Sequence, residues 1–267
     1  MASILNNIAA LNAKRNLGLS EIGLNRTIGR LATGERINLA SDDAAGLQIS
    51  SNLRADIRIL NQARRNANDA NGRIAVAEGV MEEAVNILTR AAELAEQAAS
   101  GTTTSAGRQA LDGEFQEIQD ALDALDSDTK FDGQNIFGTT FTARVGETAT
   151  EVIGIMTRNI DSVGLSVTGD LITSDNASTA LATITTAIEL ISSNRGELGA
   201  KSQRLNTLIN SLGISVENIQ AAESQIRDAD VAEEVVNLTK FQVLNQTGVS
   251  ALAQANSSTQ AILSLLQ

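Results

Sequence analysis

Residues 60–98 read LNQARRNANDANGRIAVAEGVMEEAVNILTRAAELAEQA. Within them Leu60, Ala63, Ala67, Ala70, Ile74, Ala77, Met81, Ala84, Leu88, Ala91, Ala95 and Ala98 recur at alternating steps of three and four without a gap. That period puts them on one face of an α-helix that packs along its length against another helix. Leu53 and Ile57 extend the stripe backwards after a one-residue slip. The spacing predicts a single helix from Ala44 to Ser100. At ~1.5 Å per residue it is about 85 Å long, a rod rather than an element of a small domain.

A rod with one apolar stripe needs partners, and two more runs supply them. Leu111, Phe115, Ile118, Leu122 and Leu125 mark a shorter helix after the turn at Gly101–Ser105. Leu181, Ile184, Ile188, Ile191, Leu198, Leu205, Ile209, Leu212, Val216, Ile219 and Ile226 mark a second rod, with Arg195, Ser202 and Glu223 as its polar seam positions. Between Lys130 and Ser174 the period is lost, and Gly, Thr and Val rise. Phe141–Val145 and Glu151–Ile155 read as two short strands joined by a turn. The predicted fold is mainly α: a long antiparallel coiled-coil or helix-bundle rod with a small β-hairpin region and no second large domain.

The ends are unlike ordinary chain termini. Ile4, Ile8, Leu11, Leu17, Leu24, Ile28 and Leu31 form an amphipathic stripe, and residues 241–267 contain no charged side chain. Termini are usually polar and solvated; a neutral segment ending in Leu266 predicts burial. Asn245, Gln246, Gln254, Asn256 and Gln260 are too polar for a membrane span, whereas partner helices satisfy such amides. The two ends are predicted to pair, and to pack on other copies. Isolated amphipathic helices have little local core, so their order is expected to arrive with assembly. The loop Ala32–Asp42 between the first helix and the rod reads as ordered, with Ser41 or Asp42 as the rod's N-cap. Asp42 and Asp43 read as capping residues rather than a paired-carboxylate catalytic site.

Composition narrows the function further. The chain of 267 residues has no Pro, Cys, His, Trp or Tyr and five Phe. Without Pro, long helices run unbroken. Without Cys and His there is no nucleophile–imidazole pair, no ordinary zinc site and no disulfide, and no enzyme is expected. A formal charge of −12 disfavours nucleic acid. No secretory leader is read at Met1–Arg15, because Lys14 and Arg15 follow the apolar positions.

Several motifs, in order, resemble bacterial flagellins. Leu31-Ala-Thr-Gly-Glu-Arg-Ile-Asn-Leu-Ala-Ser-Asp-Asp-Ala-Ala-Gly-Leu47, Arg65-Asn-Ala-Asn-Asp69, Glu78-Gly79 and Leu88-Thr-Arg-Ala-Ala-Glu-Leu-Ala-Glu-Gln97 are similar to the family's N-terminal signature. Phe131-Asp-Gly-Gln-Asn-Ile136 resembles its Phe-Asn-Gly turn, with Asp132 for the usual Asn. Arg195-Gly-Glu-Leu-Gly-Ala200, Ile226-Arg-Asp-Ala-Asp230, Ala253-Gln-Ala-Asn256 and Leu263-Ser-Leu-Leu266 resemble the C-terminal signature, with Ser258 where Pro is common. The resemblance covers roughly residues 1–140 and 176–267.

The resemblance implies the structural subunit of a propeller filament for swimming, in a minimal form lacking large outer domains. It implies an inner domain of 1–42 and 228–267 and a rod domain of 43–227 with its β region at about 130–175. Inner-layer contacts are expected from Ile4, Ile8, Leu11, Leu24, Ile28, Leu31, Val235, Leu238, Leu252, Ile262 and Leu266, and spoke contacts from Arg36, Asn38, Asp42 and Asp43. Its implied partners are other subunits, filament cap and hook-junction proteins and an export chaperone, with no cofactor, nucleic acid or membrane. Its implied location is outside the cell, after export without a cleaved signal peptide. Leu88, Arg90, Glu93, Leu94, Gln97 and Glu114 match positions through which an animal Toll-like receptor recognises flagellins; Thr89 and Ala92 depart from that pattern. The rival readings are a hook–filament junction protein and a helical signalling hairpin.

Overall fold

The computed structural model describes residues 7–148 and 150–264, with side chains followed to residue 258. Helices α1 (Ile8–Thr33), α2 (Ala44–Ala99) and α3 (Ser105–Asp128) come first. The strands β1 (Lys130–Phe131), β2 (Gln134–Asn135), β3 (Thr140–Arg144) and β4 (Val152–Met156) follow, and then α4 (Ser174–Arg227) and α5 (Val231–Ser264). The fold is mainly α with a small hairpin region and a terminal helix pair, as the periodicity predicts. The chain divides into two compact units, residues 1–55 with 218–267, and residues 56–217.

In the unit 56–217, every seam position from Leu60 to Ala98 is buried, eleven of the twelve at 5% exposure or less and Leu60 at 7%. Eight of these residues are Ala, so neighbouring backbones approach closely and larger side chains from α3 and α4 fill the space. Phe115 and Leu122 of α3 and Ile184, Ile191, Leu198 and Leu205 of α4 join this core. Hydrogen bonds from Asn71 to Asn206 and from Ser174 to the Ala99 carbonyl, with the Arg195–Glu82 ion pair at 3.4 Å, run α4 antiparallel to α2.

In its first half, the seam of α4 differs from the predicted one at every second position. Ala180, Ala187 and Asn194 are buried where Leu181, Ile188 and Arg195 were expected, and those three lie half-buried on the flank. The smaller residue faces the close-packed Ala seam, and the larger one turns to the edge, where Arg195 reaches Glu82.

The β region is pinned to the helices by polar contacts. Asp132 (φ +49) and Gly133 (φ +74) form the β1–β2 turn, the pair of left-handed conformations that a two-residue hairpin needs. β3 and β4 pair from Thr140 opposite Met156 to Arg144 opposite Val152, with Ala143, Ile153 and Ile155 turned into the core. Arg73 of α2 lies 4.3 Å over the Phe141 ring and donates to the Asn135 carbonyl and the Thr139 hydroxyl.

Residues 157–173 lack strands but bury Ile160, Leu165, Val167 and Leu171. Three α3 carboxylates hold that segment. Asp126 accepts from the Ile160 N–H at 2.8 Å, Asp123 from Ser162 at 2.7 Å and Asp112 from Leu171 at 2.7 Å. At about 100° per residue all three fall on one face of the helix.

Candidate assembly surface of the terminal helices

In the other unit, α1 and α5 pack side by side, antiparallel, along most of their length. α1 starts at Asn7, whose side chain accepts from the Ala10 N–H, and ends at Gly34 (φ +73), whose N–H donates to the Arg30 carbonyl. Four contacts lie on one diagonal, each step forward on α1 matched by a step back on α5. The Asn7 amide donates to the Ala255 carbonyl at 2.9 Å. Leu17 meets Gly248, and Gly23 lies under the Phe241 ring. Arg30 Nη1 reaches Glu234 Oε1 at 3.0 Å. A Cβ added at Gly23 would stand 2.5 Å from the ring of Phe241, so the aromatic side chain occupies the space that only glycine leaves.

The seam runs through Ala10, Ala13, Leu17, Ser20, Leu24, Thr27 and Leu31 on α1, and Glu234, Leu238, Phe241, Asn245, Gly248, Leu252 and Ala255 on α5; all are buried or half-buried. Both sets alternate by threes and fours, the spacing of a two-stranded coiled coil. α1 carries a second apolar set on its far side. Ile8, Leu11, Leu19 and Ile22 are about 60% exposed or more, from 59% at Leu11 to 66% at Ile8. At about 100° per residue they sit nearly opposite the seam. α5 exposes apolar residues on several sides, Val231, Val235, Val236, Val243, Leu244 and Val249 among them, interspersed with exposed polar ones such as Lys240, Gln242 and Gln246.

Of the expected inner-layer residues, Leu24, Leu31, Leu238 and Leu252 are in the α1–α5 seam, whereas Ile8, Leu11, Ile28 and Val235 face outward. Ile4 and Leu266, and the side chain of Ile262, lie outside the described residues. Leu19, Ile22, Gly23 and Arg30 also belong to this pair. The first two were legible as a second run of three-and-four steps from Ile8 and Leu11.

The loop after α1 is tied to the end of α4. Arg36 donates from its N–H to the Arg227 carbonyl and from its guanidinium to the Ile226 carbonyl, both at 2.6 Å. Glu35 pairs with Arg227 at 2.8 Å and Arg54 at 3.3 Å, and Arg54 lies 3.2 Å from Glu223. Ile37 is buried beneath. The N-cap of α2 is Asp43, which accepts from the Gly46 N–H at 2.9 Å, and not Ser41 or Asp42 as the sequence suggested. Asp42 instead closes the loop on itself by accepting from Asn38 and Leu39 N–H groups. The Asn38 side chain is exposed.

The six positions matched to receptor recognition separate by burial. Leu88 and Leu94 are core residues of the unit 56–217, at 0% and 1% exposure. Arg90, Glu93, Gln97 and Glu114 are exposed. Arg90 bridges Glu93 at 3.0 Å and Glu114 at 2.8 Å, and these hydrogen bonds, Glu114's first, raise its guanidinium pKa further. Among the described residues, no three His, Cys, Asp or Glu side chains are placed to hold a metal ion, and no helix is long and apolar enough to cross a membrane.

Comparison with known proteins agrees with this arrangement. Residues 4–142 match the bacterial flagellin N-terminal helical region, and residues 181–266 the bacterial flagellin C-terminal helical region. The chain is 37% identical to a flagellin of Halalkalibacterium halodurans and 34% identical to flagellin FlaB1 of Treponema pallidum, in both cases over 99% of each chain. It is 34% identical to a flagellin of Bacillus subtilis, again over 99% of each chain. Among solved structures it is similar to Bacillus cereus flagellin, with a TM-score of 0.50 and 26% identity, over 55% of this chain and 88% of that one. The chain belongs to the bacterial flagellin family.

Proposed function

We propose that the chain is the repeating subunit of an extracellular flagellar filament, and that residues 1–42 and 228–267 form its inner layer and 43–227 its outer rod. The observation that carries this reading is the terminal helix pair. Once α1 and α5 have packed on each other, Ile8, Leu11, Leu19 and Ile22 remain on one side and Val235, Val236, Val243 and Val249 on others. Exposed apolar sets of this kind mark protein–protein contact. Contacts that do not close a ring generate a filament, and several surrounding copies cover a pair that is apolar on more than one side. Ile4, Ile8, Leu11, Leu24, Ile28, Leu31, Val235, Leu238, Leu252, Ile262 and Leu266 are assigned to that layer, some within the pair and some between copies. Arg36, Asn38, Asp42 and Asp43 shape the connecting loop.

The subunit's role is structural, and no residue is assigned to catalysis. Filament cap and hook-junction proteins are assigned as partners at the two ends of the polymer. An export chaperone is assigned to mask the apolar C-terminal helix before delivery. The exposed quartet Arg90, Glu93, Gln97 and Glu114 is assigned to recognition by the Toll-like receptor; a reporter-cell assay with depolymerised protein tests it, and no response removes it.

The test of the main reading is polymerisation of the purified chain, viewed by negative stain. Filaments that lengthen with added protein are expected. Short assemblies that stop growing would favour a hook–filament junction protein.

A further inference from the structure

Among the described residues, the α1–α5 seam holds one ion pair. Glu234 is 6% exposed, and Arg30 reaches it from the last turn of α1. Arg30 Nε and Glu234 Oε2 are buried and make no hydrogen bond among the described residues. With Glu234 buried and the Arg30 side chain 25% exposed, a half-satisfied pair of this kind is a poor source of stability, and apolar residues of similar volume usually serve as well or better. What such a pair supplies is discrimination, since every other alignment leaves a charge facing an apolar partner.

The rest of the seam needs that discrimination. Its interior positions are largely Ala, Leu, Ser and Gly, and beside the ion pair it is the Gly23–Phe241 contact that a slip of one heptad would break. α5 exposes apolar residues on several sides, so its own patterning does little to fix how it is rotated or aligned. The charges also suit their places. Glu234 sits in the first turn of α5 and Arg30 in the last turn of α1, each next to the helix end that its sign favours.

We propose that the Arg30–Glu234 pair selects the antiparallel register of α1 on α5, and thereby fixes which apolar faces the pair turns toward neighbouring copies. The proposal rests on the filament reading. It makes Arg30 and Glu234 positioning residues for assembly rather than contributors to fold stability. A slip of one heptad displaces the helices by about 10 Å, and the outward set Ile8, Leu11, Leu19 and Ile22 then stands against different stretches of α5.

The test uses the full chain and a register reporter. The chain has no cysteine. A Cβ placed at Gly248 stands 3.7 Å from the Leu17 Cβ, inside the range a disulfide needs. Leu17→Cys with Gly248→Cys is therefore expected to close within one chain on oxidation of the polymer, read by non-reducing electrophoresis. Adding Arg30→Glu sets like charges across the seam; closure is expected to be lost and the critical concentration for polymerisation to rise by more than about tenfold. Adding Glu234→Arg to that variant restores the pair in reverse, and most of the closure and polymerisation return. Restoration is partial, because each charge then sits at the less favourable helix end.

Arg30→Met with Glu234→Leu separates register from stability. Helix content and the thermal transition are expected to stay at parent values while closure falls. Full closure and parent-like filaments in that double variant would overturn the proposal, as would a reversed pair that restores nothing. A parent chain that closes the reporter but forms no filament leaves the register claim standing and removes the filament reading instead.

Discussion

The two units use the same helical repeat and reach opposite results. Along residues 60–98, an Ala-rich stripe is covered by α3, α4 and the β region, and its positions fall to near-zero exposure. Along α1 and α5, an equally regular stripe is covered by a single partner helix. Among the described residues of that pair only Thr27 and Glu234 are fully buried. The difference is the number of apolar faces relative to the number of covering elements. α2 has one stripe and several neighbours. α1 has two stripes and one neighbour, and α5 has apolar residues on several sides. A unit whose core is complete stores its stability in itself, whereas an incomplete one stores it in contacts yet to be made.

This contrast is open to mutation, and the largest effect is expected in the complete core. Phe115→Ala removes a side chain at 1% exposure and is expected to cost about 3–5 kcal/mol in urea unfolding. A cost below ~1 kcal/mol would show that the core of 56–217 is looser than its burial implies. The next effect separates folding from assembly. Leu19→Ala removes a side chain that is 62% exposed, so unfolding is expected to change by less than ~0.5 kcal/mol. Covering that residue in the polymer contributes about 1–2 kcal/mol, so the critical concentration is expected to rise about tenfold. Equal polymerisation of variant and parent would mean that this face meets no other copy.

Gly23→Ala probes the seam itself. Its methyl group meets the Phe241 ring, and an overpacking cost of about 1–3 kcal/mol is expected, confined to the terminal pair. Circular dichroism and pelleting together would register a small loss of helix and weakened assembly, with the thermal transition of 56–217 unmoved.

The smallest pH-dependent effect is expected at the carboxylate staples of α3. Burial, with Asp161 and Asp123 nearby, holds the Asp126 carboxyl above the usual range against the opposing Ile160 N–H. A group whose folded pKa is raised favours the folded state most when protonated. Its contribution is therefore present below the unfolded value near 4 and is lost as pH rises through the folded value. Asp126→Asn keeps an acceptor for Ile160 and removes this titration. Near-parent stability is expected at neutral pH, with a flatter stability profile in mild acid. Asp126→Ala orphans the Ile160 N–H and is expected to cost about 1–3 kcal/mol. Equal behaviour of the two variants would remove the staple.

What the sequence disclosed follows the same division. The α2 seam was legible because its period is unbroken and one stripe has one meaning. The α4 seam was half legible. Ala187 and Ile188 are both apolar neighbours, and choosing the larger one points away from a partner built of Ala. The terminal stripe was legible as apolar but not as two stripes, because Ile8 and Leu17 lie on different faces that only a partner distinguishes. Asp112, Asp123 and Asp126 were within reach of a helical projection of α3, yet their targets are backbone N–H groups of a segment without a pattern. The contact of Gly23 with Phe241 spans most of the chain, and nothing local announces it. The exposed Arg90–Glu114 bridge was reached by family resemblance, and only burial separates it from Leu88 and Leu94.

Hydrogen exchange, measured on the dissolved chain and on its polymer, tests most directly whether the terminal pair is completed by other copies. Amides of residues 60–98 are expected to be strongly protected in both states, and those of α1 and α5 to exchange rapidly in the dissolved chain and slowly in the polymer. Strong protection of α1 and α5 in the dissolved chain, unchanged on polymerisation, would contradict the account.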